Sequence, residues 1–457
     1  MTQQEFLQHL ASLNGNDKDT FISQFGKKQS DILEWINEYD PEKHDVMNPA
    51  LRRNKSVRKP SGQKDQFEND ILVNDTVYVT RIAVDIQQEV TKSASGILCT
   101  NKIQLVGKVN PQPIQDVWDN NKLDLRTISI CNYWLSETEV AELWYKIDGE
   151  DKVMILANSL GDKLYPIFDD KGKMICFIRK YCAKTLVAGI VDLRDVNYYE
   201  IYTEKDVVKG NDQNNGIFSF DNPVPHGYEK IPIIYACREK PVWNNAQTSI
   251  ERWEESISNL CDTNDYFGSP TGVVKGKIIS YADKGESGKL IQIDADASIE
   301  YLTWNQAPES IKLEWETLRS IVYNSTRTIN LSIDNLKGLF GSAPSSYAIK
   351  LLFTPAHMQA AENEEVFGEY IQRRINLIGS FTGVESGAVQ PKFTYYLPKN
   401  DTEELTNIIN AKNAGILSDE SAVIDSPLTI DSNIELERIK SESESSPIPD
   451  NTGLTAA

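Results

Sequence analysis

Histidine is rare in this chain and cysteine is dispersed, which leaves little material for a His-based catalytic triad or a zinc centre. The 457 residues contain four histidines, His9, His44, His226 and His357, spread over the whole length. Any group built on them would have to be gathered from distant segments. The six cysteines, Cys99, Cys131, Cys176, Cys182, Cys237 and Cys261, form no Cys-x-x-Cys pair and have no histidine at zinc spacing. Several fall in strand-like apolar runs, where a free cysteine behaves as a small hydrophobe, and this usage suits a reducing, cytosolic site of assembly. Long apolar runs are also missing. A stretch such as Ile231–Cys237 falls far short of the ~18 residues expected of a membrane span. Met1–Leu10 is polar and mixed, unlike a secretion signal. No membrane or export route is expected.

Positive charge is under-represented as well: 47 Lys and Arg stand against 67 Asp and Glu, a net charge of −20. Proteins that grip duplex DNA neutralise phosphates with clustered Lys and Arg, and this composition is not suited to gripping. An acidic surface repels a phosphate backbone, and it would equally serve plain solubility. The basic exception is the turn-rich strip Arg52–Lys64, with Arg52, Arg53, Lys55, Arg58, Lys59 and Lys64. It could touch phosphate, but a solvated loop or an inter-subunit arm pairing with acidic neighbours is the preferred reading.

Catalytic motifs fail on inspection. Gly272–Ile278 is one residue short of a phosphate-cradling loop and has isoleucine where a hydroxyl is needed. Asp262–Gly268 begins like a calcium loop, but Tyr266 and Phe267 fill positions where an oxygen ligand and the turn glycine belong. No enzyme activity, cofactor or metal is expected.

With 40% hydrophobic and 25% charged residues, the chain can bury a core and has length for about three domains at ~150 residues each. Partial apolar stripes predict a helical pair within residues 1–40, and Ile82, Ile86 and Val90 predict a helix over Thr80–Gly96. Strand-like runs follow at Lys152–Ala157, Lys173–Arg179, Leu186–Val191, Tyr198–Tyr202 and Lys230–Cys237. Turn signals at Asp148-Gly149, Asp169–Gly172 and Lys209–Gly216 suit an antiparallel sheet. The tail beyond Ser441 is too poor in apolar residues to offset the entropy of ordering, and disorder is expected there.

The most informative block runs from Ala246 to Ile378. Ile250, Trp253, Ile257 and Leu260 make one apolar helical stripe, with Thr248 and Glu251 as a capping box. A strand-rich insert follows. A second helix opens at Pro308 and carries Ile311, Trp315, Leu318, Val322 and Ile329. A Gly/Ser loop, Ser332–Ser345, is long for a helix connection of ~2–8 residues. Helical period resumes over Ser346–Ile378, with Pro355 as a kink or restart.

That order resembles the stem, clip, stem, channel loop and channel helix of tailed-phage portal proteins, and is similar to the portals of Gram-positive siphophages. Leu164–Arg179, Tyr198–Thr203 and His226–Ile234 resemble strands of the family's wing, and Thr80–Gly96 its early wing helix. Asp401–Leu405, Ala414–Ser421 and Glu435–Glu442 resemble its closing segment. The resemblance covers roughly residues 35–440.

It implies an α+β fold with an N-terminal arm and wing (1–245), a first stem helix (246–266), a clip (267–305) and a second stem helix (306–331). A channel loop (332–345), a channel helix (346–380), a C-terminal wing or reduced crown (381–441) and a disordered tail (442–457) would follow. Leu336, Lys337, Gly338, Leu339, Phe340 and Gly341 would line the narrowest part of the channel, and Glu362, Glu364, Glu365 and Glu369 its acidic wall, unless these face a neighbour's Arg373 or Arg374. Lys275, Lys277, Lys289, Asp294 and Asp296 would be docking positions on the clip, or only the outer face of its strands.

The implied assembly is a ring of twelve copies at one capsid vertex, formed in the host cytoplasm and incorporated in the virion. It would serve genome packaging and ejection. Its partners would be the large terminase subunit, which supplies the ATPase, the major capsid and scaffolding proteins, a head-completion or adaptor protein, and the double-stranded DNA in transit. A different ring-forming head-to-tail connector is the alternative; the length and the long kinked helix argue against the usual small adaptors.

Overall fold

Period-two alternation builds the centre of the protein. The structure, a computed structural model, describes residues 2–13, 15–64, 66–67, 70–186, 193–214, 217–267, 271–275, 278–280, 292–293, 298–302, 308–330, 346–398, 401–429 and 431–445. They fall into two units, Met1–Thr328 with Gln359–Tyr395, and Ile329–Met358 with Tyr396–Ala457.

The first unit opens with helices α1 (Gln3–Ser12), α2 (Gly15–Ser23) and α3 (Gln29–Tyr39). A two-stranded antiparallel ribbon follows, β1 (Lys55–Lys64) and β2 (Asp70–Val77). Next come α4 (Ile86–Cys99), β3 (Gln104–Gly107), α5 (Gln112–Asn120) and α6 (Leu123–Glu137). The strands are β4 (Glu139–Ile147), β5 (Glu150–Leu156), β6 (Asp162–Phe168), β7 (Met174–Thr185), β8 (Arg194–Tyr202), β9 (Asp206–Asn214), β10 (Ile217–Phe220), β11 (Val224–Pro225) and β12 (Ile233–Cys237). They form one antiparallel sheet in the order β10-β9-β8-β7-β6, with β11 on β9, and a second in the order β12-β4-β5.

Successive residues of β6, β7 and β8 serve opposite cores. Tyr165, Ile167, Cys176, Ile178, Tyr199 and Ile201 meet Phe6 and Leu10 of α1 and Ile22 of α2. Leu164, Phe177 and Tyr202 meet Leu143, Leu156 and Tyr235 of the three-stranded sheet. Each such large side chain contributes about 1.5–3 kcal/mol on burial, so N-terminal residues that read as a modest polar pair form a lid on the larger sheet. The second face also buries an ion triad: Arg179 donates to Asp162 (2.6 Å) and Glu200 (3.2 Å).

Sequence signals and observed elements part in two places here. Thr80–Val84 is not helical; the helix begins at Ile86. Lys209–Asn214 is strand, not turn, because Gly210 lies opposite Phe220 on β10, where a Cβ would come within 2.5 Å of the ring. The glycine there makes room for a cross-strand aromatic. The Asp148-Gly149 turn is as expected, with both residues at positive φ (52° and 84°) closing the β4–β5 hairpin. Of the Leu186–Val191 run, residues 187–191 lie outside the described residues.

After β12 come α7 (Gln247–Phe267), four short strands, β13 (Thr271–Lys275), β14 (Ile278–Ser280), β15 (Gln292–Ile293) and β16 (Ser298–Leu302), and α8 (Pro308–Ser325). β13 pairs with β16 and β14 with β15. α8 stops short of Ile329; Arg327 takes a left-handed backbone (φ 53°) that ends it. α9 (Ser346–Thr382) contains Pro355, and its residues from Gln359 onward belong to the first unit. β17 (Val389–Lys392) pairs with β3.

The second unit includes α10 (Asp401–Asn413), α11 (Asp419–Asp425) and α12 (Ser432–Ser445). Ser418 caps α11 by accepting from the Ser421 amide, and Lys412 pairs with Asp419 at 2.9 Å. α12 runs four residues past Ser441, and residues 446–457 lie outside the described residues. No described helix is long and apolar enough to cross a membrane.

Candidate functional site

α9 presents two contrasting faces from Gln359 onward. Phe367, Tyr370, Ile371, Arg374, Ile375 and Ile378 are buried at helical spacing, while Glu362, Glu365 and Glu369 are exposed. The acidic face is partly compensated within the protomer. Glu362 accepts from Arg327 at 2.6 Å, Glu369 pairs with Arg373 at 2.9 Å, and half-buried Glu364 accepts the Tyr395 hydroxyl. Burial, then the hydrogen bond to Glu364, pushes the Tyr395 hydroxyl above its ordinary range.

Arg374 cannot reach a neighbour, because it is fully buried. Its guanidinium is bidentate to Glu142 of β4 (2.7–3.0 Å) and donates to Thr127 of α6 at 2.7 Å. Trp144 donates to the same carboxylate at 3.2 Å, and the rings of Trp118 and Tyr370 lie 5.1 and 5.4 Å from the guanidinium carbon. Burial works against the charge, but Glu142 outweighs it and raises the Arg374 pKa. Four elements are thereby fixed around one ion pair, and α9 is anchored to α6 and β4.

The paired helices α7 and α8 carry the least expected chemistry. The apolar stripe is only partly covered: Ile250 is buried, but Trp253, Ile257 and Leu260 are half-buried. The buried face is polar instead. Glu254, Ser258 and Asp262 accept, in turn, the backbone amides of Val84 (2.8 Å), Ile82 (3.0 Å) and Thr80 (2.7 Å). The match is geometric, since alternate amides of an extended chain recur every ~6.6 Å and helix positions four apart every ~6 Å. These bonds explain why Thr80–Val84 is extended despite its helical period: every second amide already has a side-chain acceptor.

Both ends of this spine are locked. Arg52 donates to Asp262 and Asn259, each at 2.9 Å, and to the Thr80 carbonyl at 2.8 Å. Buried His44 meets Glu254 at 2.7 Å through Nδ1 and the Glu38 carbonyl at 2.7 Å through Nε2. Burial lowers the His44 pKa, but the Glu254 hydrogen bond and charge more than offset it, so the net shift is upward. With both ring nitrogens facing oxygens, His44 fits the imidazolium. Asp262 is thus a structural acceptor inside a helix that continues to Phe267, which removes the calcium-loop reading.

α8 lies against α7 through Arg252–Glu314 (2.9 Å) and the Trp315 indole N–H to Ser256 (3.0 Å). The capping box does not form: α7 starts at Gln247, directly after a short 3-10 turn, and Glu251 accepts from the Gln247 side chain at 3.1 Å. Leu313 and Ile321 remain 65% and 45% exposed. The inward face of this helix pair is polar, and its apolar residues are half-covered or exposed.

Residues 21–447 match the family described as "Phage portal protein, SPP1 Gp6-like". This chain belongs to the SPP1-like phage portal family. The portal protein of Bacillus phage SPP1 is 21% identical over 347 residues, which cover 66% of this chain and 64% of that protein. The chain therefore matches a little under two thirds of its curated relative's length. The solved structure titled "Neck of native GTA particle computed with C12 symmetry" is similar over 74% of this chain and 87% of that one, at 9% identity and a TM-score of 0.42.

For this portal-family chain, the channel-loop positions Leu336, Lys337, Gly338, Leu339, Phe340 and Gly341 lie outside the described residues, as do Lys277, Lys289, Asp294 and Asp296. Lys275 ends β13 opposite Ser298 of β16. Gly272–Lys275 lies within that strand, where a phosphate loop would need a strand-to-helix turn. Sequence reasoning missed the polar spine, although Glu254, Ser258 and Asp262 stand at the same four-residue spacing as an apolar stripe.

Proposed function

We propose that this chain is the subunit of a closed portal ring at one capsid vertex, through which double-stranded DNA enters and leaves the head. The family match over residues 21–447 carries this reading, and the half-covered helix pair supports it by requiring neighbours. In this reading α7 and α8 are the stem, β13–β16 the clip, Ser332–Ser345 the channel loop and α9 the channel helix, with α10–α12 in a reduced crown. Twelve copies are the expected number. The ring forms in the host cytoplasm with the capsid and scaffolding proteins, and its clip, including Lys275, Lys277, Lys289, Asp294 and Asp296, meets the terminase and later the head-completion protein. Nucleotide hydrolysis belongs to the terminase and not to this chain.

The channel wall follows a charge argument. A conduit must not hold its cargo, and neutralising even ~6–10 phosphates would make a strong, salt-sensitive contact. Glu362, Glu364, Glu365 and Glu369, softened by Arg327 and Arg373, would leave the face mildly repulsive. Lys337 in the loop would make only brief phosphate contacts, and Gly338 and Gly341 would let Leu336, Leu339 and Phe340 shift as DNA passes.

Electron microscopy of the purified chain tests the assembly. Closed rings with a bore wide enough for duplex DNA are expected. A strictly monomeric species at high concentration, with no ring on co-expression with capsid protein, would overturn the proposal.

A further inference from the structure

One face of the β1–β2 ribbon interleaves valines with charged side chains and is largely exposed among the described residues. Its register puts Lys55, Val57 and Lys59 on the same face as Val77, Asp75 and Val73. Val73 and Val77 are 46% and 40% exposed, and a lone two-stranded ribbon is marginally stable in water. Lys55, Val57, Lys59 and Val77 line an open cleft of about 920 Å³, with α7 at Asn259 and Thr263 as the opposite wall. Two carboxylates of α7 also line the cleft: half-buried Asp262, already engaged by Arg52 and the Thr80 amide, and exposed Asp265.

We propose that this cleft receives the outer face of α8 from a neighbouring copy of the chain, so that the ribbon clamps the adjacent stem. The inference rests on the ring reading and adds to it the element that joins one copy to the next. The complementarity is in charge and spacing. Along β1 the order is Lys55, Val57, Lys59, and the two lysines are ~13 Å apart at ~3.3 Å per residue. Along α8 the order is Glu309, Leu313, Glu316; the two glutamates are ~10.5 Å apart at ~1.5 Å per residue, and all three project within ~60° of one another. Leu313 is 65% exposed and would seat against Val57, Val73 and Val77, with the flexible lysines reaching the flanking carboxylates.

Two existing contacts must yield, Lys59–Asp75 (2.7 Å) and Lys312–Glu316 (3.7 Å). Both are exposed pairs of the kind that exchange partners readily. The protomer's own α8 cannot fill the cleft, because it packs on α7 through Glu314 and Trp315 and leaves Leu313 outside.

The test places the photo-crosslinker benzoylphenylalanine at Val73 in the full chain, in rings mixed from isotopically light and heavy subunits. A ladder of covalently joined chains is expected on a denaturing gel, with light–heavy peptides joining position 73 to the segment around Leu313. Rings that give no ladder, or crosslinks to the same chain, to another segment or to a capsid protein, overturn the clamp while leaving the ring reading intact. Absence of rings in the unsubstituted protein would remove both. Independently, K55E/K59E should lower ring yield about tenfold, and adding E309K/E316K should restore it; failure of the restoring pair overturns the charge match.

Discussion

Two buried carboxylates in this protein are neutralised in different ways. Glu142, on β4, is held by Arg374, a guanidinium charged at any pH the protein meets, and both side chains are fully buried. Glu254, on α7, is held by His44 with exposures of only 3% and 4%, but an imidazole keeps its charge only below its own pKa. The first pair pins α9 to the sheet and its helices. The second pins the segment after α3 to α7, and the same carboxylate accepts the Val84 amide of the Thr80–Val84 strap. One joint is therefore permanent, while the one that carries the α7–α8 pair can be titrated.

The largest effect expected from breaking this contrast is at the permanent joint. Arg374→Met leaves Glu142 buried without its charged partner, and removing one partner of a buried pair costs about 3–5 kcal/mol. Replacing both partners, R374M/E142L, should recover most of that loss, since a buried pair is roughly matched by well-packed apolar side chains. Chemical denaturation of the single and double variants measures both. A single variant as stable as the parent would mean that α9 is held by its apolar face alone.

The same contrast explains what the sequence could and could not disclose. Helices α7 and α8 were legible because Ile250, Trp253, Ile257 and Leu260, and likewise Ile311, Trp315, Leu318 and Val322, recur at three- and four-residue spacing, a local property, and α9 was legible through its helical period. The β4–β5 turn was legible because Asp148-Gly149 demands positive φ. Glu142 was not: it sits in the apolar run Val140–Trp144, and its partner is 232 residues away, a distance over which period carries no information. The polar spine was invisible for a related reason, since Glu254 and Asp262 look like an ordinary solvated face until Thr80–Val84 is laid on them. The basic strip Arg52–Lys64 proved to be two things, Arg52 locking the spine and Lys55–Lys64 forming a strand. For the site, Glu362, Glu365 and Glu369 are exposed on α9 while Glu364 is half-buried, and of the two arginines offered as alternative partners from a neighbour, Arg373 pairs with Glu369 in the same chain and Arg374 is in the core.

The next effect is smaller and depends on pH. The His44 pKa is raised in the folded chain, by Glu254 and the Glu38 carbonyl with Asp40 nearby, against the pull of burial. The stabilisation it gives is fully present below the unfolded-state value of about 6.5 and is lost as pH rises through the higher folded-state value. His44→Gln should therefore cost most on the acid side, about 1.5–3 kcal/mol for a charge-assisted hydrogen bond, and the gap should close as pH rises. Thermal unfolding of both proteins between pH 5 and pH 9 checks this. A gap independent of pH would mean that the imidazole is neutral throughout and merely packs.

The smallest effect is expected where neither joint is involved. Glu369 and Arg373 lie four residues apart on the exposed face of α9, 70% and 56% exposed, and such helix pairs contribute about 0.3–0.5 kcal/mol. Glu369→Gln should leave the unfolding midpoint nearly unchanged, and what little is lost should vanish in high salt, because an exposed pair is screened beyond the ~10 Å Debye length of 0.1 M salt and still more at 1 M. The variant then separates stability from surface charge. It removes one negative charge per subunit from the proposed channel wall and frees Arg373, so DNA retention by assembled heads should become more salt-sensitive while the fold stays as it was. A stability loss comparable to that of Arg374→Met would show that this face of α9 is structural, and would withdraw Glu369 from the wall.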